Sequence, residues 1–450
     1  MAGITNQKAV LIIVYCSILL DNLLLTVVVP IVPDYLISVE ALTRSMNPLK
    51  FPTNSSTEGY EEQLNEENGK VGFLLSSKAV VQIIFNPIVG CAARYVGYTI
   101  PLFVGNINLL ASSALYSLGE SYLALFLARS LQGLASACIG VSGMCLVAEH
   151  YQDESQRSRI MGIVLGAVAL GVLLGYPYGG FAYDFLGKMA PFLGISLFAI
   201  LNIAFQLVFL NMQPPNYEVQ STSEGSSWKE LMSDQLVMLT AGAIWLSSSA
   251  MAILEPCLPL WLMSHIKPQK WELGTVFIPD SIGYLVGTNC FGGIAYRYGR
   301  WRVAIAALIL LAISACTLPM AKSMKGLIIP HVGLGLGIGV VDAALVPLLA
   351  TLVDTKHRAD YATVYAIQQT SVSLAYAFGP MFGGELVRVM GFPWLMVSIG
   401  IVNLLYSPLL VFLSNMEKQE VQAVMDTHKV SYKATESRKY NRFVASDESD

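Results

Sequence analysis

Charge is what this sequence has least of. Only 13% of its 450 residues are Asp, Glu, Lys or Arg, against about 25% in an ordinary soluble chain. With 54% hydrophobic residues and a mean hydropathy of +0.57, the shortage excludes a disordered chain, a disulfide-stapled secreted scaffold and a typical cytosolic enzyme. Neither sign dominates. Twenty-seven basic residues against 31 acidic ones leave a net charge of −4, so no nucleic acid is expected as a partner. The seven cysteines, Cys16, Cys91, Cys138, Cys145, Cys257, Cys290 and Cys316, lie in or at the edges of apolar stretches without the CxxC spacing of a zinc site. They read as small packing residues. HExxH and GxSxG motifs are missing, as is a Gly-Lys-Ser/Thr phosphate loop. His150, His265, His331, His357 and His428 fall at the ends of apolar stretches or in polar segments. No enzyme, metal or cofactor is expected.

What is there instead is a series of long stretches between charges. A helix needs about 20 apolar residues to cross a bilayer core. Six stretches suffice in the first half: Lys8 to Asp34 around Asp21, Lys70 to Arg94 around Lys78, Arg94 to Glu120, Glu120 to Glu149 around Arg129, Arg159 to Asp184, and Lys188 to Glu218. Six follow in the second: Asp234 to Lys267 around Glu255, Glu272 to Arg297 around Asp280, Arg302 to Lys322, Lys325 to Asp354 around Asp342, Asp360 to Glu385, and Arg388 to Glu417. The spacing predicts an all-α membrane protein of twelve transmembrane helices, with halves over 1–211 and 234–415, a linker over 212–233 and a polar, disordered tail over 416–450. With both ends cytoplasmic, sixteen of the 27 Lys and Arg face the cytoplasm and nine the other side. The loop near 39–68 then faces the lumen and carries Asn54-Ser55-Ser56, a glycosylation acceptor.

The halves repeat. Gly90 to Gly97 ends the second span as Gly292 to Gly299 ends the eighth, an offset of 202; Gly175-Tyr176-Pro177-Tyr178-Gly179-Gly180 matches Gly379-Pro380-Met381-Phe382-Gly383-Gly384 at 204. Parallel six-helix halves resemble the major facilitator superfamily, whose substrate site lies near the midplane between them. The fifth-span pattern resembles the superfamily's proton-antiporter signature, with Tyr176 where proline is usual. Arg94 and Tyr296 fill the usual Asp position of the short-loop glycine motif. Gly162, Gly166, Gly171, Gly175 and Gly179 would let helix backbones approach closely.

Six charges lie inside spans: Asp21, Lys78, Arg129, Glu255, Asp280 and Asp342. Each costs at least ~2.5–3.5 kcal/mol at the bilayer centre, so such residues default to function. Structural ion pairs are the plainer alternative, above all for Arg129. Four acids against two bases favour a cationic substrate. Burial favours the neutral acid and a neighbouring lysine the carboxylate, so one group can hold a proton or an organic ammonium, and the two compete. Phe277, Tyr284, Tyr365 and Tyr376 could cap an ammonium by cation–π contact, although aromatics in such helices more often face lipid.

Several stretches closely resemble the vesicular amine transporters: Leu19-Leu20-Asp21-Asn22 through Pro33, Ser77-Lys78-Ala79 through Asn86-Pro87, and Ala128-Arg129-Ser130-Leu131-Gln132-Gly133. Others are Leu254-Glu255-Pro256, Ser281 to Asn289, Val341-Asp342, Val364-Tyr365-Ala366-Ile367, and Gly391-Phe392-Pro393-Trp394. The likeness covers all twelve spans, and Leu24-Leu25-Thr26 with Gly287-Thr288-Asn289 lean to the monoamine branch. It implies a monomeric antiporter of synaptic or secretory vesicles, which loads a monoamine neurotransmitter using protons from a vesicular pump. By the resemblance, Asp21 and Asn22 bind the ammonium and Glu255 helps recognise it. Phe277, Tyr284 and Tyr376 line the pocket. Lys78 and Asp342 form a charge pair coupled to proton movement, and Arg129 belongs to the proton or gating network.

The sequence also departs from the family. Gln369 stands at the Asp of the eleventh helix, and an amide cannot release a proton. Asp280 stands where the monoamine branch has a small residue, and is expected to replace the missing carboxylate. Ser248 replaces an asparagine of the seventh helix, and the first lumenal loop has no cysteine for the family's disulfide. Val424-Met425 fills the place of the tail's dileucine-like pair. These changes keep other cargoes open, acetylcholine or a polyamine, together with a passive uniporter and a transport-dead receptor or scaffold.

Overall fold

Long apolar runs with no water to bond their backbone must satisfy it internally, as helices do. The structure, a computed structural model, describes residues 2–46, 57–210, 228–266, 275–356 and 361–414. Among them are twelve long helices: α1 (Ala2–Met46), α2 (Thr57–Val96), α3 (Thr99–Leu118), α4 (Tyr122–His150), α5 (Glu154–Leu186), α6 (Met189–Phe209), α7 (Gln235–His265), α8 (Ile278–Tyr298), α9 (Arg300–Thr317), α10 (Met324–Lys356), α11 (Tyr361–Met390) and α12 (Phe392–Tyr406). Ten are long and apolar enough to cross a membrane by length and composition. The other two, α8 and α11, are thinned by Gly, Tyr, Asp and Gln, and both pack against the opposite half. Asn54, most of the linker and the tail from residue 415 lie outside the described residues.

The expected loop near 39–68 is mostly helix, because α1 runs on to Met46 and α2 starts at Thr57. Between Thr57 and Lys70, five Glu with Gln63 and Leu64 are good helix formers, and no proline interrupts them.

The sequence repeat is a packing repeat. In the first half α1 packs on α4, α5 and α6, α2 on α4, and α3 on α4 and α6. The second half repeats this helix for helix: α7 on α10, α11 and α12, α8 on α10, and α9 on α10 and α12. The tightest turns repeat too. Gly97, Gly187, Gly299 and Gly391 have φ of 79°, 83°, 97° and 80°, a region that favours glycine, at the same offsets of 202 and 204. The halves meet through α2 with α11 and α5 with α8, two seams that the pseudo-symmetry exchanges.

Glycines make these seams close. The α5 series serves two neighbours. Gly162 and Gly166 lie against Thr288 and Asn289 of α8, while Gly171, Gly175 and Gly179 lie against α1. A Cβ at Gly171 would sit 2.7 Å from the Leu19 carbonyl oxygen. Side chains start the polar turns: Ser121 accepts from the Ala124 N–H at 3.2 Å, Asp153 from Gln156 at 2.8 Å and Asp234 from Leu236 at 2.8 Å. The pseudo-equivalent α4 and α10 have least lipid face, with 83% and 94% of their spans buried. Both carry site residues.

Candidate functional site

On α4, Arg129, Gln132, Gly133, Ser136 and Gly140 recur at helical spacing and face inward. Gly133 brings α4 onto the backbone of Lys78 in α2. Ser136 Oγ lies 2.7 Å from each carboxylate oxygen of Asp21 and donates to that group. Gln132 Nε2 donates to the Asp21 backbone carbonyl at 3.2 Å. Lys78 Nζ lies 3.7 Å from Asp21 Oδ2. This corrects the expected Lys78–Asp342 pair. The α2–α4 contact turns Lys78 toward α1, inside its own half, whereas Asp342 lies in the seam of α8 and α10. Arg129 donates to Gln132 Oε1 at 3.0 Å and to the backbone carbonyls of Leu25 and Leu75 at 3.4 and 3.5 Å, so it fastens α1, α2 and α4 together. Asn22 spends its amide N–H on the Ile18 carbonyl of its own helix and turns toward Gly171 of α5.

The second half holds its acids differently. Asp342 is 6% exposed. Its Oδ2 accepts from the Tyr284 hydroxyl at 2.8 Å, and its Oδ1 has no hydrogen-bond partner. Asp280 is equally buried, and its Oδ1 also lacks a partner. It lies against Gly335 of α10, where a Cβ would collide with its backbone oxygen. Tyr376 sits within electrostatic range of Glu255, Asp280 and Asp342. Phe277 is buried before α8 and meets His331 edge-on, with ring centroids 6.2 Å apart.

His331 corrects one expectation: it is fully buried inside α10, with Nε2 unpartnered. The glycine-rich run after it lets α8 approach and cover it. The expected replacement of Gln369 by Asp280 also meets a different geometry. Gln369 packs against Gly140 of α4, whereas Asp280 lies against α10, so the two occupy different seams.

Three features were not foreseen. The first is Tyr176, which reaches from α5 into the second half. Its ring stacks on Phe277 with centroids 6.3 Å apart and 22° between planes, and its hydroxyl lies within electrostatic range of Glu255. The second is Asn86 of α2, which donates to Ser373 of α11 at 3.4 Å. The third is a polar clasp on the face where α1 begins and α12 ends. Arg157 pairs with Asp354 at 2.7 Å, Arg300 with Glu154 at 2.7 Å, and Thr351 bonds to Glu154 and Arg300 at 2.7 and 2.8 Å. Arg94 bonds to Thr363, and Tyr365 to the Met161 sulfur at 3.4 Å. The halves are thus tied at that face.

The Major Facilitator Superfamily model matches residues 11–277 and again 240–442. The crystal structure of a human organic anion transporter (TETRAN) has the same fold, with a TM-score of 0.73 and 18% identity over 90% of this chain and 99% of that one. The synaptic vesicular amine transporter of Homo sapiens is 37% identical over 94% of this chain and 91% of its own length. The chromaffin granule amine transporter of Rattus norvegicus is 38% identical over the same shares. The vesicular acetylcholine transporter of Torpedo torpedo is 36% identical over 91% of this chain and 82% of its own length. Twelve helices in two matched halves, with charges buried between them, define an integral membrane protein of the major facilitator superfamily. Within it, the chain belongs to the vesicular amine transporter family.

Proposed function

We propose that this chain is a proton-coupled antiporter that loads a cationic monoamine into synaptic or secretory vesicles by alternating access. The observation that carries the reading is the pair of buried carboxylates, Asp280 and Asp342, each with an acceptor oxygen left without a partner. A buried acceptor without a donor is costly. A proton satisfies it, and so does an ammonium N–H, and the two exclude each other. Asp21 flanks the amine on the α1 side, with Asn22 packed behind it against α5. Glu255, Phe277, Tyr284 and Tyr376 line the other side. Lys78 pairs with Asp21, and Arg129 holds the helices that carry both.

In this reading the polar clasp holds the face of the termini closed. The excess of Lys and Arg on the side of the termini supports a cytoplasmic assignment of that side. Admitting cytosolic amine then requires Arg157–Asp354 and Arg300–Glu154 to part, as the halves rock about the site.

The amine and acetylcholine relatives differ by at most two points of identity, so identity alone does not choose the cargo. The unpartnered acceptors favour an amine that carries N–H, because a quaternary ammonium has no hydrogen to donate. The test is uptake into acid-loaded proteoliposomes of labelled serotonin, dopamine, octopamine and acetylcholine, with and without a protonophore. Gradient-dependent uptake of a monoamine is the expected result. Uptake that survives the protonophore would make the chain a uniporter, and uptake of none would remove the amine reading.

A further inference from the structure

The antiporter-like stretch of α5 departs from its pattern at Tyr176, and the structure gives that departure a place. Gly175 and Gly179 hold α5 against Thr26 and Val27 of α1. That rotation sends Tyr176 across to the second half. There its ring stacks on Phe277, and its hydroxyl comes within electrostatic range of Glu255 of α7. One side chain therefore occupies both an aromatic surface and a carboxylate that a cationic arylalkylamine needs. It also ties α5 to α7 and to the start of α8, a level of the pocket that the clasp at the other face does not reach.

We propose that Tyr176 is an internal competitor of the cargo. In the vacant transporter its phenol holds Phe277 and Glu255 and keeps the halves joined on the side away from the termini. Arriving cargo puts its ring on Phe277 and its ammonium on Glu255. Tyr176 is displaced, and the halves are released from each other there. Tyr176 is a positioning residue whose release couples occupancy to movement. The proposal rests on the amine-antiporter reading and adds the residue that sets apparent affinity, because a site blocked part of the time binds more weakly in proportion.

The test compares wild type, Tyr176→Phe and Tyr176→Ala in proteoliposome uptake of labelled serotonin. Tyr176→Phe keeps the stacked ring and loses the hydroxyl, so packing is preserved. Its KM should fall about three- to tenfold, the size of one polar contact, with Vmax within about twofold. Tyr176→Ala should lower KM at least as far and also lower Vmax, because the contact between halves is gone. A merely structural tyrosine would give an unchanged KM in the Phe variant, and an unchanged or raised KM overturns the proposal. If wild type takes up no amine at all, the functional reading fails and the proposal with it. Wild-type uptake with an unmoved KM in Tyr176→Phe sinks the competitor alone.

Discussion

The two halves share one packing plan and differ in how they hold charge. In the first half Asp21 is met by Lys78, by the Ser136 hydroxyl and, through its backbone, by Gln132. In the second half Asp280 and Asp342 lie as deep, yet each keeps an oxygen with no donor. The pseudo-symmetry accounts for the helices and not for this. A carboxylate already met by an ammonium and a hydroxyl has its partners and suits a fixed anchor. An uncompensated one must take a proton or a cation, and so suits exchange. On the proposed antiporter reading, the first half anchors and the second exchanges.

The sharpest way to break that comparison is Asp342→Asn. The amide oxygen still accepts from Tyr284, so the fold should survive with a thermal midpoint within a few degrees of wild type. Accumulation should drop to the level seen with a protonophore, and normal accumulation would remove Asp342 from exchange. The matching change in the first half, Lys78→Ala, should act on stability first. It strands Asp21 as a buried unpaired charge, at a cost of about 3–5 kcal/mol, read as a lowered thermal midpoint in detergent. Adding Asp21→Asn should recover most of that stability and none of the uptake. Gly335→Ala pushes a methyl group into the Asp280 backbone and should cost about 1–3 kcal/mol. Gly384→Ala, where nothing lies within 4 Å, should be silent in the same assay.

Arg157→Ala loosens the clasp. Maleimide should then modify the buried Cys145 of α4 several-fold faster, and an unchanged rate would take the clasp out of the closure. The smallest effect is expected from Gln369→Asp in an Asp280→Ala background. The two positions face α4 and α10 respectively, so uptake lost with Asp280 should not return. Full rescue would show that the seams communicate.

Much of this architecture was legible in the sequence. Apolar length between charges marked all twelve helices, and the offsets of 202 and 204 reappear in the positive-φ glycines that turn α2 into α3 and α11 into α12. Asp21, Asp280 and Asp342 read as buried charges and are buried. Partners were harder to see. Periodicity tells which face of a helix is inside, but not which neighbour waits there. Lys78 therefore met Asp21 rather than Asp342. The direction of Tyr176 depends on how Gly175 and Gly179 rotate α5 against α1, a tertiary contact. Arg157 and Asp354 are 197 residues apart, and each alone reads as an ordinary loop charge. His331 sits beside a glycine run whose purpose, letting α8 come close, is visible only once α8 is there.

The central claim is that the carboxylates of the second half exchange protons for amine while Asp21 stays paired with Lys78 and Ser136. The most direct measurement is the number of protons released per amine bound by the purified protein, followed with a pH indicator in weak buffer. Wild type should release protons on binding, Asp342→Asn about one fewer, and Ser136→Ala, which touches only Asp21, the wild-type number. Equal release from wild type and Asp342→Asn, or a loss in Ser136→Ala alone, would contradict the account.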